Sequence, residues 1–231
     1  MKKLLRQFVG KFHTISRVYS EGNRLINFLK KEKIDTIFDV GANIGQYAKA
    51  LRRFGYKGKI ISFEPLEKEK NLLDIEMTDD YNFESLNYAL GNKNKTLKIN
   101  VAQNSVSSSI LKTHERHLNY DKKTISKEKK KIKMRKLNYF AHKIKKNTTM
   151  LKLDTQGFEY EALSSAKNII KDFKLIQLEL SFQEMYYKEK NWLKTLDFLQ
   201  NKGFYVIDIF YGIRHKKNLE LMQSDFILKR K

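Results

Sequence analysis

The chain has 231 residues, no cysteine, and 47 Lys and Arg against 26 Asp and Glu, a formal net charge of +21. A hydrophobic fraction of 41% excludes a wholly disordered chain and suits one α/β domain with appendages, while the lack of cysteine excludes disulfides, thiolate nucleophiles and thiolate zinc sites. The charge either forms a solubilising surface or favours polyanionic partners: nucleic acid, an anionic membrane face, or an acidic or nucleotide-linked acceptor.

Residues 1–33 are predicted to form a basic extension of two short helices ahead of the main domain, residues 34–231. Apolar residues recur at helical spacing around Phe8 and again around Ile26, with basic residues between them. These helices either pack on the domain or rest on an anionic membrane surface. Arg6 and Lys11 interrupt the apolar stretch that a signal peptide requires, so we expect a cytoplasmic protein.

From residue 34 onwards, short apolar runs alternate with helical stretches, which is typical of an α/β, Rossmann-like doubly wound, mostly parallel sheet. The predicted strands are residues 34–40, 59–63, 83–89, 96–102, 148–154, 175–182, 205–210 and 225–228. The predicted helices are residues 46–54, 67–76, 158–171 and 192–201.

A lysine-rich stretch with little apolar content interrupts this alternation. We interpret residues 112–131 as a mobile insertion that helps to build the acceptor site. His114 and His117 within it have a spacing that a metal fragment could use, but we expect both to be exposed to solvent. No metal site is predicted.

The first candidate site is the loop DVGANIG at residues 39–45, between the first strand and its helix. Gly41 and Gly45 allow a sharp turn and a close approach to a ligand at the helix N-terminus. Their G-x-x-x-G spacing differs from the G-x-G-x-x-G of dinucleotide sites that bind pyrophosphate. The loop therefore favours a ligand without phosphate, such as S-adenosylmethionine, although a tight structural turn is the alternative.

Acidic residues at three other strand ends are the remaining candidates. Glu64 closes the second strand, where a carboxylate can accept both ribose hydroxyls of an adenosyl ligand. Lys152 and Asp154 lie two apart in an otherwise apolar strand, so they point to the same side, where ionisable groups are costly unless paired or functional. Glu179 is a further candidate near the same edge, with catalysis or structural hydrogen bonding as its alternatives.

The chain resembles the FkbM family of methyltransferases in several motifs that occur in family order. They are DVGANIGQY at 39–47, FEP at 63–65, NYALG at 87–91, SVSSSIL at 105–111, LKLDTQGFE at 151–159, LELS at 178–181 and SDFIL at 224–228. The resemblance implies the class I methyltransferase fold, S-adenosylmethionine as cofactor, and methylation of hydroxyls on sugars or natural products. It also implies that the donor lies against Asp39, Gly41, Asn43, Gly45, Glu64, Pro65, Asn87, Ala89 and Leu90, with Asp154 near the transferred methyl.

The expected reaction is an in-line displacement at the sulfonium methyl by an acceptor oxygen of a small molecule or glycan. Asp154 or Glu179, with Lys152 beside them, or a histidine of the insertion, would accept or steer the proton of the acceptor hydroxyl. Three alternatives remain: a 2′-hydroxyl methyltransferase on RNA, a nicotinamide-dependent oxidoreductase, and an inactive binding module. Nucleic acid is a less favoured partner than a small molecule or glycan.

Overall fold

The computed structural model describes residues 19–215 and 218–231. The strands are β1 Thr36–Val40, β2 Lys59–Phe63, β3 Phe83–Leu86, β4 Ala89–Leu90, β5 Lys95–Ala102, β6 Ser126–Arg135, β7 Thr149–Leu153, β8 Phe173–Ser181, β9 Phe204–Arg214 and β10 Leu221–Arg230. The helices are α1 (residues 19–31), α2 Gln46–Arg53, α3 Glu67–Glu76, α4 Glu115–Tyr120, α5 Glu159–Ser164 and α6 Trp192–Gln200.

Seven strands form the main sheet in the order β3-β2-β1-β7-β8-β10-β9. All pairings are parallel except those of β10, which is antiparallel to β8 and β9. The chain order reverses between β1 and β7, the point at which open α/β sheets bind ligands beyond the carboxyl ends of their strands. This topology confirms the predicted doubly wound fold and places the ligand edge after Val40 and Leu153.

Apolar side chains cover both faces of the main sheet. β1 and β7 are buried at every position, as expected for central parallel strands. On one face the core includes Phe38, Leu151 and Ile176. On the other face Leu25 and Leu29 of α1 pack with Ile37 and Met150, so α1 shares the core of the sheet. The first helix predicted in the extension lies outside the described residues.

A second, three-stranded sheet with the order β4-β6-β5 contains the last part, residues 126–131, of the segment predicted to be a mobile insertion. Residues 112–131 hold α4 and the first part of β6, which the lysine-rich composition did not indicate, while the mobility of the segment and its part in the acceptor site stay predictions. β6 pairs antiparallel with β5 and buries only Ile132 and Met134, while its other residues remain largely in solvent. Backbone pairing with β5 therefore stabilises a strand whose composition lacks the apolar alternation of a core strand.

Three further predictions need correction. His117 was expected in solvent but is only 4% exposed, because its ring packs edge-on against Tyr186. The strand predicted over 83–89 ends at Leu86, and Ala89 begins a strand of the other sheet. The helix predicted over 158–171 consists of α5 followed by a separate 3-10 segment, Lys167–Asp172.

Candidate active site

The turn between β1 and α2 joins three strand ends by backbone hydrogen bonds. The N–H groups of Gly41 and Ala42 donate to the Phe63 carbonyl at 3.0 and 3.1 Å, and the Asp154 N–H donates to Val40 at 3.0 Å. Gly41 has a φ of +78°, and a Cβ there would lie 1.8 Å from the Asp154 carbonyl oxygen. The close approach that requires this glycine is thus to the neighbouring strand end, whereas the sequence had suggested a ligand.

Gly45 is required for a similar reason. Its φ is +89°, and a Cβ would lie 2.7 Å from Leu73 Cδ1 on α3. The structure thus gives Gly45 a packing role, since it lets α2 begin close to α3, and its contact with the donor stays a prediction.

Glu64 follows β2 and ties the β1–α2 turn to the next loop. Its two carboxylate oxygens accept the N–H groups of Asn43 and Leu66, each at 2.8 Å. Burial raises the pKa of Glu64 to about 7, although these two hydrogen bonds oppose the shift. A carboxylate can accept about four hydrogen bonds, so each oxygen keeps capacity for a ribose hydroxyl.

We call the space around Glu64 the donor cleft; it encloses about 540 Å³, part of it open to solvent. Its lining contains Gly41, Asn43, Glu64, Pro65, Ala89, Leu90, Asp154, Ser105, Ile99 and Ile110. The lining includes two carboxylates and no Lys or Arg. This composition suits a cationic ligand with an apolar ring system and is unsuitable for the pyrophosphate of a nicotinamide dinucleotide.

Asn87 is set back from the cleft. Its side-chain amide donates to the backbone carbonyls of Glu64 at 3.0 Å and Pro65 at 3.1 Å. The residue therefore braces the loop that carries the acid, and it is absent from the cleft lining to which the sequence had assigned it.

A second cleft, which we call the acceptor cleft, adjoins the first and shares Gly41, Asn43 and Asp154 with it. Its remaining polar lining comes from α2, β7, β8 and β10, and consists of Gln46, Tyr47, Lys152, Gln177, Glu179 and Asp225. Asp154 thus lies where the two clefts meet, with its side chain 36% exposed. The structure brings Lys152, Asp154 and Glu179 together, as the sequence predicted.

Lys152 is a buried cation held by two acids. Its Nζ lies 3.1 Å from Asp39 Oδ1 and 3.7 Å from Asp154 Oδ2. Burial alone would lower the pKa of Lys152, but the charges of Asp39 and Asp154 outweigh burial and raise it above the ordinary value. Lys152 is therefore an ammonium group and cannot accept a proton. Asp39 is fully buried and contacts Lys152 and Ser62, and its contact with the donor stays a prediction.

Glu179 and Asp225 lie directly opposite each other on β8 and β10. Like charges in this position destabilise a sheet when both are ionised. Burial, followed by the charges of Asp154 and Asp225, raises the pKa of Glu179 well above its ordinary value. Burial and the charge of Asp154 raise the pKa of Asp225 to about 6, against the opposing charge of Lys152. The pair is therefore suited to hold and release a proton near neutral pH.

Amide and phenol groups orient these acids. Gln156 Nε2 lies 2.6 Å from Asp154 Oδ1 and 3.4 Å from Glu179 Oε2, and its Oε1 accepts the Tyr186 hydroxyl at 2.6 Å. Gln177 hydrogen bonds to Asp225 and accepts the Tyr47 hydroxyl at 2.6 Å. Sequence reasoning assigned no role to Asp225, although an acid within the apolar SDFIL strand was a signal of the kind used for Asp154.

In the described part of the chain, neither a candidate metal cluster nor a membrane-spanning helix is found. No cluster of three or more His, Asp or Glu residues there has the arrangement of a metal site. None of its helices is long and apolar enough to cross a membrane.

The fold has distant counterparts among solved structures. The fibrillarin of Aeropyrum pernix, solved with bound S-adenosyl-L-methionine, is 11% identical with a TM-score of 0.46, over 84% of this chain and 66% of that one. Methanococcus jannaschii fibrillarin is 13% identical with a TM-score of 0.49, over 85% and 66%. An rRNA methylase from Streptococcus thermophilus is 12% identical with a TM-score of 0.45, over 88% and 92%. The chain thus spans slightly less than two thirds of each fibrillarin.

Sequence comparison identifies the family. No curated protein matches the chain. The family profile described as the methyltransferase FkbM domain matches residues 39–206, which include the end of β1, the acid at the end of β2 and the strand ends of β7 and β8. The chain belongs to the FkbM family of S-adenosylmethionine-dependent methyltransferases.

Proposed function

We propose that the chain methylates a hydroxyl group of a sugar, glycan or related polyhydroxylated small molecule. The observation that carries the proposal is the junction of the two clefts at Asp154, with the Glu179–Asp225 pair on the acceptor side. Carboxylates and amides are effective acceptors and donors for neighbouring hydroxyl groups. An acceptor cleft lined by Asp154, Glu179, Asp225 and Gln177 therefore fits a polyol.

The donor cleft supplies the groups that S-adenosylmethionine requires. Ile99, Ile110 and Leu90 form an apolar section for the adenine ring, and Glu64 lies beside them for the ribose hydroxyls. Asp154 at the junction would attract the positively charged methionine end of the donor. The bound donor supplies a methyl group on a sulfonium, and these residues orient it towards the acceptor cleft.

Proton removal from the acceptor is assigned to the Glu179–Asp225 pair. As the acceptor oxygen bonds to the methyl carbon and the carbon–sulfur bond breaks, the hydroxyl proton passes to a carboxylate of this pair. A raised pKa makes such a carboxylate a stronger base than an ordinary exposed one. Lys152 stays charged and limits the repulsion among the surrounding acids.

The acidic lining also bears on the class of acceptor. The net charge of the whole chain favoured an anionic or nucleotide-linked acceptor, but the only Lys that lines the acceptor cleft is already paired with Asp39 and Asp154. A phosphate next to the reacting hydroxyl would lie among three carboxylates. The proposal is therefore a neutral acceptor, which also disfavours the ribose of an RNA strand.

Transfer of a labelled methyl group tests this function. Purified protein is incubated with methyl-labelled S-adenosylmethionine and matched panels of neutral saccharides, uronic acids, nucleotide sugars and RNA. We expect the label in a neutral saccharide. Hydrolysis of the product should then yield a sugar that carries the label as a methyl ether. Label in RNA, or exclusively in an anionic acceptor, would contradict the proposal. If the protein bound S-adenosylmethionine but transferred no label to any of the panels, the inactive binding module would be favoured instead.

A further inference from the structure

The β5–β6 ribbon has one face in the protein core and one face in solvent. Alternate residues Leu97 and Ile99 of β5 and Ile132 of β6 pack on the inner face with Leu66 and Phe158. The intervening residues point outward, and the exposed lysines among them are Lys98, Lys129, Lys131 and Lys133, which we call the lysine face. Two residues of a strand span roughly 6.8 Å, so neighbouring ammonium groups lie within one Debye length at physiological salt.

The lysine face carries uncompensated charge. Lys98 lies directly opposite Lys131, an arrangement that destabilises a sheet by repulsion. None of the four lysines forms an ion pair with another described residue, whereas Lys130, which points to the other face, lies 3.2 Å from Glu128. An anionic partner would offset the repulsion on the lysine face without any rearrangement of the ribbon.

Neighbouring side chains distinguish between anionic partners. The other outward residues opposite these lysines are Thr96 and Asn100, which offer no ring on which a base could stack. At the end of β6, the rings of Tyr88 and Tyr139 already contact the guanidinium of Arg135, at 5.2 and 5.7 Å. On the lysine face itself, single-stranded nucleic acid would therefore find charge without stacking partners.

A feature suited to a lipid surface stands at the start of the ribbon. Ile125, immediately before β6, is 51% exposed, and Lys122, Lys123 and Lys127 around it are also exposed. An exposed apolar residue among lysines is the pattern by which peripheral proteins combine electrostatic attraction with shallow insertion into a bilayer. Lysine stems add to this because they lie along apolar surface while the ammonium group stays in water.

We infer that the lysine face, with Ile125 at its edge, docks the enzyme on the surface of an anionic phospholipid bilayer. The opposite face of the same ribbon lines the donor cleft through Ile99, so docking leaves the donor cleft unobstructed. The contact is peripheral, since no described helix could span the bilayer. Each surface lysine strengthens binding to such a bilayer by roughly fivefold at low salt.

Vesicle sedimentation with the full chain tests the inference. Vesicles of phosphatidylcholine alone are compared with vesicles in which about 30 mol% of the lipid is anionic phosphatidylglycerol. The test variant replaces Lys98, Lys129, Lys131 and Lys133 with glutamine. The control replaces Lys31, Lys68, Lys171 and Lys194, exposed lysines on other segments, and so has the same net charge. Affinity for S-adenosylmethionine is measured in all three proteins and is expected to be equal, which verifies folding.

The expected result is binding to the anionic vesicles only, weakened roughly 600-fold in the test variant, about fivefold for each of its four lysines, and far less in the control. Ile125→Ser alone is expected to weaken binding to the anionic vesicles relative to the wild type, while the salt dependence of binding stays that of the wild type. Equal losses in the test and control variants would overturn the inference, because they would show attraction to total charge alone. Tighter binding to an RNA oligomer than to the vesicles, lost in the test variant, would also overturn it in favour of nucleic acid.

Discussion

Glu64 is a carboxyl group in the lining of the donor cleft, and its burial there raises its pKa. Its pKa of about 7 means that a part of the free protein holds Glu64 protonated at neutral pH. A ribose diol donates hydrogen bonds and therefore binds the ionised form. The affinity for S-adenosylmethionine should fall about tenfold per pH unit below that pKa, which calorimetric titration between pH 5.5 and 8.5 would measure.

Glu64→Gln provides the control for this pH dependence. The amide cannot accept both the Asn43 and the Leu66 N–H groups, so we expect weaker binding at every pH and no pH dependence from this position. If the wild type and Glu64→Gln shared the same pH profile, another group would be responsible and the ribose role of Glu64 would be wrong.

Asp225 and Glu179 should affect turnover more than donor binding. Because the base must be ionised, we expect kcat to rise with pH through about 6, the pKa of Asp225, and to approach a plateau above the raised pKa of Glu179. Asp225→Asn should lower kcat by about 100-fold, a magnitude typical for loss of a general base. The measurement is the methyl-transfer rate at saturating donor, with the acceptor that the labelled-methyl screen selects.

Asp197→Asn, at an exposed position on α6, is the matched control for Asp225→Asn. The affinity for S-adenosylmethionine should stay within a few-fold of the wild-type value in both variants, because Asp225 lines only the acceptor cleft. A kcat of Asp225→Asn near that of Asp197→Asn would exclude the pair as the proton acceptor.

At the scale of elements, the β1–α2 turn and the end of β7 form one packed unit. Gly41→Ala would place a methyl group 1.8 Å from the Asp154 carbonyl oxygen at a φ of +78°, so the two strand ends would have to separate. Gly55→Ala has a comparable φ of +90° but no atom within 4 Å of the new Cβ. We expect Gly55→Ala to lower the free energy of unfolding by about 1–2 kcal/mol and Gly41→Ala by clearly more.

Urea denaturation of the two variants measures the difference. Because each loses the same backbone freedom, the excess cost of Gly41→Ala reports the contact with β7 alone. Equal costs for both substitutions would show that the turn yields easily and that the contact does not fix the position of Asp154.

Elements were predictable where burial dominates the sequence. β2 and α3 match their predicted bounds because an apolar run and an amphipathic period end at turn residues. The lysine-rich first part of β6 was missed because its stability comes from pairing with β5, which local composition does not reveal. Asp225 was missed for a similar reason: it meets Glu179 only through the antiparallel pairing of β10 with β8. The role of Gly41 likewise depends on a strand that lies more than a hundred residues away in sequence.

The whole molecule holds several acids whose pKa values are raised by burial. They reach about 7 for Glu64 and Glu159, about 8 for Glu189 and about 6 for Asp225. Between their unfolded values and these folded values, the native state binds more protons than the unfolded state. The free energy of unfolding should therefore fall as pH rises through this window, which is opposite to the usual effect of paired carboxylates.

His117 partly offsets this stabilisation. Burial lowers its pKa to about 4, so below about 6.5 the unfolded state binds a proton that the native state does not. Because His117 is one group against four acids, stability should still be higher at pH 6 than at pH 8. Thermal unfolding monitored by circular dichroism should give a Tm several degrees higher at pH 6 than at pH 8, in line with a change of about 1–2 kcal/mol.

Glu189→Gln tests the cause of this slope. Glu189 has the highest pKa of these four acids, about 8, and its Oε1 accepts the Met185 N–H, a bond that the glutamine carbonyl can keep. The variant resembles the protonated native state, so its Tm should change little at pH 6 and rise relative to wild type at pH 8. Glu67→Gln, at an exposed position at the start of α3, controls for the loss of one carboxylate. A wild-type Tm that increases from pH 6 to pH 8 would show that these acids are ionised in the native state, and the proton-holding role of the Glu179–Asp225 pair would lose its electrostatic basis.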